Sequence, residues 1–203
     1  MSSPANAQQR YPGLRERKKA KTRRTIQEHA MRLFVEQGYD STTIEQIAEA
    51  AEISPSTFFR YFPTKEDVVI QDDYDPVIAA AFVAQPATLT PLAALRATIR
   101  QVFDEVFPQE KDTMLRRIEL VWSIPALRAR QVEGQIATMA TLRNAIAQRT
   151  GVPEDDFRLR VFTGAVMGAW MAAIELWIES EGTEPLADLM DRVLGLLEEG
   201  LPL

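Results

Sequence analysis

Apolar residues Ile26, Ala30, Leu33 and Phe34 recur at i, i+4, i+7 and i+8, a spacing that lines one face of an α-helix. The stripe predicts a first helix from about Arg15, and Gly38 stands where the left-handed residue that ends a helix is wanted. A second stripe, Ile44, Ile47, Ala48 and Ala51, opens on one of two capping boxes, Thr42-x-x-Glu45 or Thr43-x-x-Gln46. Ser54 then reads as an N-cap, and Pro55 as the first residue of a third helix, where its missing N–H is no loss. That helix is short and ends at Phe62, ahead of Pro63. Thr64-x-x-Asp67 caps a fourth, whose pattern contains Pro76 and is therefore kinked or split there. Three helices in under fifty residues, the last two parted by a turn of three or four, is helix-turn-helix spacing.

The remaining chain also reads as helix, because no stretch alternates between apolar and polar for long. Thr90-Pro91 starts a helix to about Phe107, a further one runs from about Asp112 to Ile124, and Pro125 opens a long one ending near Gly151. Glu154 to Ser180 follows, closed by Gly182, and Thr183 caps a last helix to Glu199. The expected fold class is all-α, with an N-terminal three-helix helix-turn-helix domain and a C-terminal helical domain. Residues 1–14 read as a disordered basic tail, residues 15–66 as the first domain and residues 67–203 as the second.

Val161 to Ile178 is eighteen residues with a single charge, Glu175, so a membrane span has to be weighed. On a helical wheel Gly164, Ala165, Gly168, Ala169, Ala172 and Ala173 gather on one side. Val166, Met167, Trp170, Met171, Ile174, Trp177 and Ile178 gather on the other. Ordinary amphipathic segments flank this helix, which favours burial on two sides in a soluble protein over a span, and no membrane partner is expected.

"SPSTFFRYF", Ser54 to Phe62, holds four aromatic rings in five consecutive residues. At about 100° per residue, Phe58 and Phe62 fall together and point at the first two helices, while Ser56, Thr57 and Arg60 fall opposite. Phe59 and Tyr61 lie on the flanks, framing a polar surface. This is the layout of a recognition helix whose first residues reach base edges in a DNA major groove.

Charge supports the same end of the molecule. Residues 1–66 carry 11 Lys and Arg against 8 Asp and Glu, whereas residues 67–203 carry 12 against 21. Eight of the basic residues lie between Arg10 and Arg24, and a basic segment on an acidic chain suggests an anionic partner at one end. Lys18, Lys19 and Arg23 are expected to follow phosphates or enter a minor groove. Cysteine is absent and His29 is the sole histidine, which removes thiol nucleophiles, disulfides and most His-based metal or triad chemistry. Asp72, Asp73 and Asp75 read as a solvated face, and no cofactor is expected. The N-terminus lacks an apolar secretory core, pointing to the cytoplasm.

Arg24 to Val69, "RTIQEHAMRLFVEQGYDSTTIEQIAEAAEISPSTFFRYFPTKEDVV", resembles the DNA-binding region of the tetracycline-repressor (TetR) family. The shared signature is a Phe then a Gly ending the first helix, Thr-Thr opening the second, Ile-Ala within it, and Thr-aromatic-aromatic-x-aromatic-Phe before a capped Lys-acid pair. The resemblance implies an all-α homodimer with an N-terminal reader and a C-terminal effector-binding domain, joined through the last two helices. It implies base contacts from Pro55, Ser56, Thr57 and Phe59, and phosphate contacts from Thr42, Thr43, Tyr61 and Lys65, with Arg60 on the same surface. Phe59 replaces the family's usual Tyr, so a hydroxyl is missing and an apolar contact such as a thymine methyl remains. Glu52 replaces the usual Gly in the turn and must become left-handed or alter that turn.

The same resemblance implies an effector pocket, for which Phe82, Phe103, Phe107, Met114, Trp122, Met139, Phe162, Met167 and Trp170 are candidate lining residues. A closer similarity, to mycofactocin-associated and acyl-CoA-responsive regulators, implies an apolar effector such as a fatty acyl-CoA. Arg116, Arg117, Arg128 and Arg130 are then the candidates for its head group. The expected function is a ligand-responsive regulator, not an enzyme: a repressor released from a palindromic double-stranded DNA operator. The competing reading is a small all-α enzyme or carrier with a large apolar cavity and no DNA role.

Overall fold

A computed structural model of the chain describes residues 14–71, 74–106 and 111–202. Residues 1–13 of the expected tail, together with Asp72, Asp73 and Phe107, lie outside them, whereas Leu14, expected in that tail, is helical. Among the described residues there are ten α-helices and no strand. They are α1 (Leu14–Gln37), α2 (Ile44–Ala50), α3 (Pro55–Tyr61), α4 (Lys65–Ile70), α5 (Tyr74–Ala84), α6 (Pro91–Gln101), α7 (Lys111–Ser123), α8 (Pro125–Thr150), α9 (Phe157–Glu179) and α10 (Leu186–Glu198). A π-helical turn, Val102–Val106, continues α6. The chain forms two compact units, the first ending at Val69 and the second starting at Ile70.

In the first unit α2 packs on α1 and α3 on α2. The sequence stripes are its core: Ile26, Ala30 and Phe34 from α1, Ile47 and Ala48 from α2, and Phe58 with Phe62 from the aromatic run, all buried. Val68 and Val69 add the fourth helix to it. The amide of Gln27 donates to the Val68 carbonyl at 3.2 Å, fastening α1 to α4.

In the second unit α9 packs against α10 and α8, α5 against α8, and α6 against α10. One core cluster surrounds Phe82, Leu95, Ile146 and Leu159. A second surrounds Trp177, with Ile99, Met114, Leu189 and Met190. The α6–α10 contact is closed by ions. Arg96 meets Asp191 at 2.8 Å and Glu198 at 2.7 Å, and the Arg96 hydrogen bond holds the Asp191 carboxyl below its usual range. Arg149 anchors the α5–α6 loop, donating to the carbonyls of Gln85, Pro86 and Leu89, with its guanidinium over the Phe82 ring.

Three boundaries differ from the sequence expectation, each for a local reason. The fourth helix breaks before Pro76, because α4 ends at Ile70 and α5 begins at Tyr74. Pro76 thereby falls in the first turn of α5, where it sacrifices no helical hydrogen bond. Helix α9 begins at Phe157 after Asp156, whose carboxylate accepts from the Arg158 N–H, rather than at Glu154. Thr183 does not cap the last helix. Its hydroxyl donates back to the Ser180 carbonyl at 2.7 Å, and α10 starts at Leu186 after Pro185.

Candidate nucleic-acid interface and effector region

Ser54 caps α3 through its hydroxyl, which accepts from the Thr57 N–H at 3.1 Å, and Pro55 takes the first helical position. Its oxygen also lies 2.9 Å from that of Ser56 and donates to that of Thr57 at 3.0 Å. The start of α3 therefore presents a small cluster of hydroxyls, which can both give and accept hydrogen bonds at a base edge. Pro55, Ser56 and Arg60 are exposed and Thr57 half-exposed. Phe59 is 52% exposed, its ring set edge-to-face on Phe58 at 5.7 Å. Arg60 lies over the Tyr61 ring, 5.6 Å from its centroid. The division of the aromatic run into two buried rings and two flanking ones is observed.

The turn before α3 contains Glu52 at φ 55°, so its left-handed conformation is realised in a residue with a Cβ. Such a conformation carries a penalty on the order of 1 kcal/mol, which glycine avoids at some expense in unfolded-chain entropy. Glu52→Gly is expected to raise the thermal midpoint of the first unit by about 2–8 °C, given the usual shift of about 4–8 °C per kcal/mol for a unit of this size. A calorimetric scan showing a lower midpoint would contradict it.

The two threonines opening α2 do different things. Thr43 is exposed and forms the capping box, accepting from the Gln46 N–H at 3.2 Å while the Gln46 side chain accepts from the Thr43 N–H at 2.9 Å. Thr42 is buried, donating to the Gly38 carbonyl at 2.8 Å and accepting from Gln37 at 3.1 Å. Its expected phosphate contact is therefore replaced by a role inside the fold, because the turn after Gly38 folds that hydroxyl inward.

Lys65 is likewise tied in. Its ammonium donates to the carbonyls of Tyr39 (2.8 Å) and Thr42 (3.1 Å) and lies 4.1 Å from the Tyr39 ring centroid. The Tyr39 hydroxyl donates to Glu66 at 2.7 Å, and burial first, then this carboxylate, push its pKa upward. Burial would raise Glu66 in turn, but the Tyr39 hydroxyl, backbone and Thr64 bonds and the Lys65 charge outweigh it and hold it low. A cation is thus fixed beside the Thr43 cap. Gln37 and Tyr39, which organise this corner, were not visible in the sequence pattern. Polar residues on either side of the Gly that ends a helix are the signal that could have found them.

Along α1, Lys18 and Lys19 are exposed, whereas Arg23 is half-buried with its guanidinium 4.6 Å from the Phe62 ring centroid. Arg23 packs α1 against α3, so its cation is directed partly to the core.

In the second unit the structure does not bring the described effector candidates into one lining. Phe82 is fully buried and Phe162 packs on the same cluster, while Phe103, Trp122 and Trp170 pack with Met114 on the cluster around Trp177. Met139 and Met167 are half-buried and belong to neither cluster. An open groove of about 660 Å³ lies between α5 and α8, with Ala79, Ala80, Val83 and Ala140 against Asn144 and Gln148. None of the candidates lines it. Arg117 lies over the Tyr74 ring and Arg130 pairs with Glu133 at 2.6 Å, while Arg116 and Arg128 are exposed.

Helix α9 is long and apolar enough to cross a membrane by length and composition. Of its large side chains, Val166, Ile174 and Trp177 are buried. Gly164, Ala165, Gly168 and Ala172 form an exposed strip bordered by Phe157, Val161 and Leu176.

Comparison with known proteins gives concordant results. Residues 26–71 match the family described as bacterial regulatory proteins, tetR family, and residues 89–202 match the MftR C-terminal domain. The HTH-type transcriptional regulator TcmR of Streptomyces glaucescens is 38% identical over 157 residues, covering 73% of this chain and 70% of that protein. The HTH-type transcriptional repressor AcnR of Corynebacterium glutamicum is 24% identical, covering 86% and 93%. Among solved structures, Thermus thermophilus FadR, a TetR-family transcriptional repressor in complex with lauroyl-CoA, superposes with a TM-score of 0.54. It is 28% identical, and 89% of this chain and 95% of that one are covered.

Proposed function

The chain belongs to the TetR family of bacterial regulatory proteins, and on that premise we propose that it is a cytoplasmic repressor whose homodimer leaves its operator when an apolar effector binds. It is a DNA-binding transcriptional regulator, as its relatives are, and they are not enzymes. The observation that carries the reading is α3: anchored from behind by Phe58 and Phe62, it exposes Ser56, Phe59 and Arg60 on one short face. A helix so held can enter a major groove without rearranging. Thr43, Tyr61, Lys18 and Lys19 supply phosphate contacts around it, and the basic start of α1 adds salt-dependent affinity.

The domain roles follow, with the boundary expected at 66/67 moved to that between the two units: the first, to Val69, reads DNA, and the second, from Ile70, binds the effector and the second copy. The exposed small-residue strip of α9, with α10, supplies the dimer contact, and a two-fold dimer requires two half-sites about one helical turn or a multiple apart. The FadR relative holds lauroyl-CoA, which supports a fatty acyl-CoA or similar apolar effector for this chain. Release follows if the effector binds the operator-incompetent population better.

A mobility-shift assay with the chain's own promoter region at low salt tests the reading, and failure to bind would end it. Within that assay Lys19→Ala, at an exposed lysine of α1, is expected to weaken all sequences alike and to lower the salt slope by about one. Changes at Thr57 or Phe59 are instead expected to alter which operator variants are preferred. Sequence-independent losses from all three would refute this division.

A further inference from the structure

Trp177 is 1% exposed at the centre of a core cluster, and its indole N–H has no hydrogen-bond partner. The sulfurs of Met114 and Met190 share the cluster but do not accept from it. A buried indole N–H ordinarily finds an acceptor, because desolvating it without one is unfavourable. Four aromatic side chains that pack against this cluster are only half-buried, Tyr74, Phe103, Trp122 and Trp170. Phe103 stands in the π-helical turn Val102–Val106, an irregularity that concentrates at functional sites.

We infer that Trp177 is the polar anchor of the effector site, its Nε1–H donating to a carbonyl oxygen of an otherwise apolar ligand. This rests on the effector reading above and gives it a position and a chemistry. The ligand enters among Phe103, Trp122 and Trp170, displacing half-buried rings rather than fully packed ones. A satisfied N–H then rewards the bound form, and a hydrocarbon of the same shape lacks that reward. Two carbonyl sources share the chemistry, an acyl thioester and a ring ketone.

Matched pairs separate them: lauroyl-CoA against S-dodecyl-CoA, and fluorenone against fluorene, each pair differing in the carbonyl. Calorimetry on the full chain is expected to show about tenfold tighter binding of the carbonyl member in the pair that fits. In Trp177→Phe, which keeps an aromatic ring, the ratio of the two affinities is expected to fall to about one, whatever the change in either affinity alone. The pair that shows the effect identifies the source. No preference in the wild type, no binding of either pair, or an equal preference in both proteins would overturn the inference. Wild-type protein labelled with 15N-tryptophan gives a second readout that needs no variant. One indole N–H resonance should move downfield with the carbonyl member, and none moving also overturns it. Operator binding without ligand is measured alongside, so that loss of the regulator reading is seen separately.

Discussion

Phe58→Ala should abolish operator binding by unfolding the first unit, while leaving the second unit and its self-association intact. Phe58 is fully buried, packs edge-to-face on Phe59 and tilts against Phe62 at 6.0 Å. Truncating such a ring removes its transfer free energy and leaves a cavity, together about 3–5 kcal/mol. A unit of this size has about 3–10 kcal/mol in all, at the usual stability per residue. One substitution therefore removes from about a third to the whole of it. Phe59→Ala, one residue on, is the control: that ring is half-exposed, so the unit stays folded and only DNA binding weakens. Circular dichroism should show part of the helix signal missing for Phe58→Ala and a wild-type spectrum for Phe59→Ala. Wild-type operator affinity for Phe58→Ala would contradict the assignment of that ring to the core.

The contrast between these neighbouring phenylalanines was legible because helical geometry alone separates positions 58 and 62 from 59 and 61. The caps at Ser54 and Thr64 were legible for a similar reason, since a hydroxyl or carboxylate three residues away fixes both partners locally. What could not be read were outcomes decided by distant chain. Thr42 and Thr43 are equivalent in a capping pattern, and only the packing of the Gly38 turn decides that Thr42 goes inside. The Lys65 ammonium reaches back across more than twenty residues to the Tyr39 and Thr42 carbonyls, a contact that no local spacing encodes. The effector candidates failed to converge because bulky apolar side chains serve core and cavity alike. Periodicity places them on inner faces without saying which of two clusters each joins. The inferred role of Trp177 came from an unsatisfied donor, a property that exists only once every potential partner has a position.

The larger effect on DNA binding without unfolding is expected from Gly168→Arg. An added Cβ at Gly168, as at Gly164, meets no atom within 4 Å, so the protomer accommodates a side chain there. Replacing a helix-interior glycine also favours the helix by a few tenths to about 1 kcal/mol. The protomer should therefore be at least as stable as the wild type. Across a two-fold interface the same substitution is unfavourable twice. Small residues on α9 allow close approach of a second backbone, and two guanidinium groups would be forced into that contact and desolvated near each other. The expected product is a folded monomer, seen as half the mass by analytical ultracentrifugation with an unchanged helix content. Its operator affinity should fall by about 10²–10⁴, because the second half-site is no longer bound at the high effective concentration that linkage provides. Binding to an isolated half-site should be unchanged, which separates this loss from damage to the reading helix. A variant that stays dimeric would move the interface away from α9.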